Sequence, residues 1–283
     1  MSPALGLAIH FDRPLGEGVE PIEHVLDTQV GGATLRDLLT SMWANPLKRG
    51  ARSRPPTSFN WSRLRTRITS GELQYASVGV PELDVRTRSK PDQIAFGFDC
   101  FPRERADEMP ARRVGDRVLH FRYESLFAVG AGWLHAEGAA SAIIDAMVRF
   151  ASEVAAGGGV IIAAERFATV MALGGAGDDG DADIRWRSSR LYGAKWDWGP
   201  HAREPEWGTF LTRRHADAIG GVAAIRSAVE PHRVLETDNL VFVQLTPYEE
   251  ATAPTTEAKR LALWRLMQPI VVGPASWERP ATD

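Results

Sequence analysis

Histidine is where most proton-transfer and metal chemistry at neutral pH would begin. The chain holds seven histidines, at positions 10, 24, 120, 135, 201, 215 and 232, and none is spaced HxxxH or HExxH as a zinc-binding helix face requires. His135-Ala-Glu137 has the spelling of the zinc-deaminase HxE. That chemistry also needs a PCxxC, and Cys100 is the only cysteine. One cysteine excludes an intramolecular disulfide and a thiolate metal cage, and it fits a reducing compartment. Asp99 precedes Cys100, and a neighbouring carboxylate raises a thiol pKa, which works against a thiolate nucleophile. No serine lies in GxSxG, and there is no P-loop. Glu165 closes the apolar run VIIAAE. With His120 or His135 it forms the one enzyme hypothesis, a hydrolase or transferase whose His/Glu site is assembled from distant residues.

Two glycine-and-acid patterns fail on charge and position. Gly175-Ala-Gly177-Asp-Asp-Gly180 spells GxGxxG. A dinucleotide loop needs backbone N–H groups free to meet phosphate. Here Asp178, Asp179, Asp181 and Asp183 crowd the phosphate position and repel it. The same acids do not complete an EF-hand, because its glycine position is Ile184 and its closing glutamate position is Arg190. No metal and no cofactor is expected. Residues 174–183, GGAGDDGDAD, read as a linker loop between an N-terminal half, 1–173, and a C-terminal half, 184–283.

Two segments mix basic and aromatic residues. KRGARSRPPTSFNWSRLRTR carries Lys48, Arg49, Arg52, Arg54, Arg63, Arg65 and Arg67 with no acid among them, and Pro55-Pro56 forbids a helix there. It reads as a basic loop leading into a strand. RWRSSRLYGAKWDW interleaves arginines with Trp186, Tyr192, Trp196 and Trp198. Such composition fits three things: a strand with tryptophans inward, a protein interface anchored by Trp, Tyr and Arg, or single-stranded nucleic acid. A formal net charge of −3 disfavours nucleic acid. The partner-binding candidates are Trp186, Arg187, Arg190, Tyr192, Trp196 and Trp198, or the loop 48–67.

The elements that must position these residues follow from hydrophobic period. Strands are expected at 4–11, 73–79, 94–99, 117–124, 160–165, 207–212, 232–236 and 239–246, with 270–272 as a closing edge. A short helix is expected over 33–44, with Leu35, Leu38, Leu39 and Met42 on one face. The strongest helix spans 136–155, where Ile143, Ile144, Met147, Ala151 and Val154 form a stripe and Gly157-Gly158-Gly159 ends it. A helix over 213–229 is broken at Gly220-Gly221, and another over 256–268 is capped by Thr255 or Thr256, with Leu261, Trp264 and Met267 on one side. The fold class is therefore α+β: two packed α/β-sandwich halves, the second ordered βαββαβ and ferredoxin-like. Length and composition agree. The 283 residues, 44% apolar and 24% charged, describe an ordinary globular chain with a real core. No targeting segment or membrane-length apolar run is visible, so a cytoplasmic location and no membrane partner are expected.

In WGTFLTRRHADAIGG, Trp207, Thr209 and Leu211 alternate with Phe210, Thr212 stands at an N-cap, and Ile219-Gly220-Gly221 ends one helical piece. Every residue then has a structural role, and none is assigned catalysis. This order resembles the bacterial type VI secretion immunity family, with Trp207, Thr209, Phe210, Leu211, Ile219, Gly220 and Gly221 as the matching residues and VFVQLT (241–246) as the following strand. The resemblance covers about residues 196–246. It implies a cytoplasmic, non-enzymatic protein that binds and neutralises one cognate toxin or effector, with a homodimer also allowed.

Overall fold

The run ALGLAIHF forms β1 (Ala4–Phe11), and all eight of its residues are buried. A strand buried on both faces belongs inside a sheet that is covered twice. The computed structural model describes residues 3–12, 14–47, 56–80, 93–104, 112–114, 117–121, 123–164, 196–197, 201–202 and 204–271. After β1 come α1 (Glu20–Leu26), the pair β2 (Gln29–Val30) and β3 (Ala33–Thr34), α2 (Leu35–Leu38), β4 (Ser41–Pro46), β5 (Thr57–Ser58) and α3 (Trp61–Thr69). Next are β6 (Leu73–Val80), β7 (Ile94–Asp99), β8 (Arg112–Val114), β9 (Arg117–Phe121), β10 (Tyr123–Val129), α4 (Ala131–Leu134), α5 (Ala139–Glu153) and β11 (Gly158–Ala164). The C-terminal part holds β12 (Trp196–Asp197), β13 (Gly208–Thr212), α6 (Arg213–Ala218), α7 (Gly221–Val229), β14 (Arg233–Glu236), β15 (Leu240–Gln244) and α8 (Pro254–Met267).

Ten strands form one sheet in the order β14-β15-β13-β11-β1-β10-β7-β6-β4-β5. Every neighbouring pair in it is antiparallel. The fold is thus mixed α/β around a large antiparallel sheet. Its topology uses one device twice. β10 and β11 both pair antiparallel with β1, so they run parallel to each other, and α4 and α5 connect them. Likewise β13 and β14 flank β15, and α6 and α7 connect them. Each is a β-α-β crossover with an antiparallel strand inserted.

The expected ferredoxin-like second half differs in its fourth strand. Of the expected 270–272 edge, Val271 makes only an isolated parallel bridge to Ala202. The place beside β13 is filled by β11, which pairs Gly159 with Phe210 and Ile161 with Gly208. Strands from both sides of the 174–183 segment therefore share one sheet, while that segment itself lies outside the described residues.

Three local expectations also change. The helix over 33–44 shrinks to α2, because Leu39 turns extended (ψ 130°) and Met42 and Trp43 join β4 against β6. Strand pairing here outweighs a helical apolar period. The basic segment expected as a loop becomes α3 from Trp61 onward, because the Asn60 side chain caps Arg63 N–H at 2.9 Å and Leu64 and Ile68 supply a buried stripe. In α8, Pro254 takes the first helical position and Ala253 is the N-cap. Thr256 instead hydrogen-bonds Glu250 O and Thr246 Oγ1, at 2.6 and 2.7 Å. The buried side of α8 carries Leu263 and Met267, while Leu261 is 41% exposed.

The core lies against one sheet face, where α5 crosses. Phe150 of α5 meets Phe96 edge-on at 5.4 Å and Phe11 at 6.5 Å. Further along, Arg233 reaches Asp145 of α5 at 2.7 Å, and Asn239 donates to Ser152 O at 3.0 Å. Alternation sends Leu211, Val241 and Val243 to the opposite face, where they too are fully buried. They share an apolar cluster with Ile225, Val229, Leu263 and Met267 of α7 and α8.

Candidate functional site

The segment that resembles a known family is built from contacts that shape the backbone. Trp207 is buried, and its Nε1–H donates to Thr246 O and Oγ1 at 3.2 and 3.1 Å. Thr209 Oγ1 donates to Glu206 O and accepts from Glu206 N–H, both at 3.1 Å. Phe210 packs against Phe242 with tilted rings at 4.8 Å, and Leu211 is fully buried. Thr212 caps α6 by accepting from His215 N–H at 3.2 Å, and His215 Nδ1 accepts from Thr212 N–H at 3.4 Å. That reciprocal pair is a capping box with histidine in the role usually held by Glu or Gln. Gly220 (φ 94°) and Gly221 (φ 76°) then take left-handed conformations between α6 and α7.

The second sheet face carries a polar row that crosses adjacent strands. His10 stands opposite Gly158 of β11 and Glu124 of β10, and Asp99 stands opposite Tyr75, which stands opposite Asn45. Asp99 Oδ2 accepts from Glu124 N–H at 3.0 Å, which links the two halves of the row. Small residues make room for it. A Cβ on Gly157 would approach His10 Nε2 to 2.7 Å, and one on Gly97 would overlap the Tyr75 hydroxyl. Burial, reinforced by Asp99 and Glu124, pushes the Tyr75 phenol above its ordinary value. Burial and then Asp99 push the Cys100 thiol up as well. Both groups therefore stay protonated at neutral pH and are poor nucleophiles. His10 and Asp99 are only 7% and 4% exposed. Among the described residues no group of three or more His, Cys, Asp or Glu could hold a metal ion. His10 is a buried strand residue whose ring lies against Gly157. Tyr75, Asp99 and Glu124 join it through strand register, which residue spacing along the chain does not show.

A third cluster sits at the surface where α1, α2 and α3 meet. Trp61 Nε1–H donates to Glu23 Oε1 at 3.0 Å, and the Arg36 guanidinium lies over the Trp61 ring at 5.8 Å. Asp27 holds Arg36 at 2.7 Å, and Arg65 lies 3.6 Å from Glu23. Arg63 and Arg65 face solvent, whereas Leu64 between them is fully buried.

The fold has a counterpart among solved structures. It is similar to the Pseudomonas aeruginosa T6SS protein PA0821. The TM-score is 0.61, with 14% sequence identity, over 95% of this chain and 73% of that one. At that identity the likeness is one of fold. No family model matches the chain, and no curated protein matches it in sequence.

The remaining sequence candidates distribute as follows. Trp186, Arg187, Arg190, Tyr192, Trp198 and Glu165 lie outside the described residues. Trp196 opens β12 and pairs with Phe121 of β9, and its neighbour Asp197 pairs with His120. His135 is exposed at the end of α4. His24, which no motif marked, binds Glu153 of α5 through Nδ1 at 2.8 Å, and Arg149 holds the same carboxylate at 2.7 Å. Among the described residues no helix is long and apolar enough to cross a membrane.

Proposed function

We propose that this chain is a non-enzymatic, immunity-type protein of a type VI secretion system that binds and neutralises a cognate toxin. The observation that carries the reading is a coincidence of two independent likenesses. The Trp207–Gly221 segment resembles the immunity family, and the whole fold resembles a solved T6SS protein. The side chains of that segment support the reading too. They serve as strand core, helix cap and helix break, which is what a binding scaffold requires and a catalytic motif does not. A binding protein acts by presenting a stable complementary surface, anchored by residues such as Trp and Arg.

The test is expression of the effector encoded beside this gene in a heterologous host, with and without this chain. Rescue of growth, together with a one-to-one complex of the purified pair at micromolar concentration, is the expected result. A pair that stays apart in size-exclusion chromatography at that concentration refutes the reading.

A further inference from the structure

We infer that the outward face of α3, with Arg36 beside it, is a docking surface for an acidic patch on a protein partner. The inference rests on the binding role proposed above and names the surface. Leu64 and Ile68 turn one side of α3 into the core and leave Arg63 and Arg65 directed outward. The Arg65 side chain is 53% exposed. Arg63 makes no ion pair with any described residue. The run 48–67 that contains this helix carries seven basic residues and no acid in a chain whose formal net charge is −3, although Lys48, Arg49, Arg52 and Arg54 lie outside the described residues. On the described face Arg36, Arg65 and Arg67 are matched by Asp27, Glu23 and Glu72, and Arg63 is the surplus cation. That asymmetry selects an anionic partner over a neutral one.

The geometry favours protein carboxylates over nucleic-acid phosphates. The Trp61 indole already donates its N–H to Glu23 and has Arg36 over its ring. It is therefore poorly placed to stack on a base, the contact on which sequence-tolerant single-strand binding relies. Glu23 and Asp27 are interspersed with the arginines. A phosphate chain carries a charge at every step and would have to pass both carboxylates. A folded partner places its acids opposite the guanidiniums alone. Arg36 gives Nε and Nη2 to Asp27 and Arg65 lies 3.6 Å from Glu23, yet both side chains remain partly open, which lowers the ordering cost of binding and leaves their remaining N–H groups for a partner carboxylate.

The experiment titrates the adjacently encoded effector against the full-length chain, its Arg63→Glu/Arg65→Glu variant, and a control of equal charge change, Arg214→Glu/Arg226→Glu, at exposed positions of α6 and α7. A single-stranded oligothymidylate is titrated in parallel. Charge reversal at the two α3 positions is expected to weaken effector binding by about tenfold or more. The control is expected to leave binding unchanged, and the thermal midpoints of all three chains to agree within a few degrees, since only exposed ion pairs such as Arg65–Glu23 are lost. Equal effector affinity for wild type and the α3 variant overturns the docking surface while the binding role stands. Equal losses for the α3 and control variants overturn it as well, since the effect is then one of net charge. Oligothymidylate binding that the α3 variant loses, while effector binding persists, overturns it in favour of nucleic acid. If the wild type does not bind the effector, both this inference and the role beneath it fall.

Discussion

Tyr75 and Trp207 show how single polar groups are fitted into a largely apolar sheet. Trp207 donates to Thr246, whose carbonyl also accepts from Gln244 Nε2 at 3.0 Å. Trp207→Phe removes one donor without stranding that acceptor, but it leaves a gap beside β13. A loss of about 1–3 kcal/mol is expected by urea unfolding. Tyr75 and Cys100 make a pH-dependent prediction. Both groups have raised values in the folded chain, for which burial is the main cause. The folded state then holds these protons more tightly than the unfolded state. Their contribution is fully present below the unfolded-state values, about 8.5 for thiol and 10 for phenol, and is lost as pH rises through the folded values. The urea midpoint should fall between about pH 8 and pH 10.5. Cys100→Ala should flatten the lower part of that fall and Tyr75→Phe the upper part. A midpoint that declines identically in all three chains would contradict the assignment.

At the scale of elements, the two-glycine break between α6 and α7 separates two requirements that a motif match cannot distinguish. A Cβ on Gly220 would come within 2.9 Å of Ala224 Cβ, whereas one on Gly221 would meet nothing within 4 Å. Both positions have positive φ. Gly220→Ala should therefore cost about 1–3 kcal/mol through strain and overlap together. Gly221→Asn should cost under about 1 kcal/mol, since Asn tolerates the left-handed region. Circular-dichroism melts of the two variants check the order, and equal losses would remove the packing argument. Such elements are legible in the sequence because their signals are local. Thr212, the Ile219-Gly220-Gly221 break and the α5 stripe all lie within a few turns of the residues they govern. α2 and β4 are not legible in this way, since the apolar residues of 33–44 suit either period until β6 supplies a strand partner. The arginine-bearing part of 48–67 reads as loop because of Pro55-Pro56, although the helix begins only after the Asn60 cap. The row of His10, Glu124, Asp99 and Tyr75 comes from four strands, so it exists only once their register is set.

Over the whole molecule, β11 is the strand on which continuity depends. It pairs with β1 on one side and β13 on the other, so the C-terminal strands have no edge of their own next to the N-terminal ones. Among the described residues, side chains of three further pairs cross the same seam. Arg233 reaches Asp145, Asn239 reaches Ser152, and Tyr248 donates to Pro3 O at 2.6 Å. Pulling the C-terminal strands away would uncover Ile161, Phe210 and Leu211, all buried, and would break the β11–β13 ladder, leaving the backbone N–H and C=O groups of two strand edges unpaired. A sheet joined in this way should lose its structure in one step. Urea unfolding followed by tryptophan fluorescence and by far-ultraviolet circular dichroism should give coincident curves. Ile161→Ala, at the centre of β11, should move both curves together by about 2–4 kcal/mol. Two resolved transitions, with Ile161→Ala shifting only one, would mean that the C-terminal strands fold independently and merely rest beside β11. The βαββαβ expectation would then regain its force, with β11 as a borrowed fourth strand.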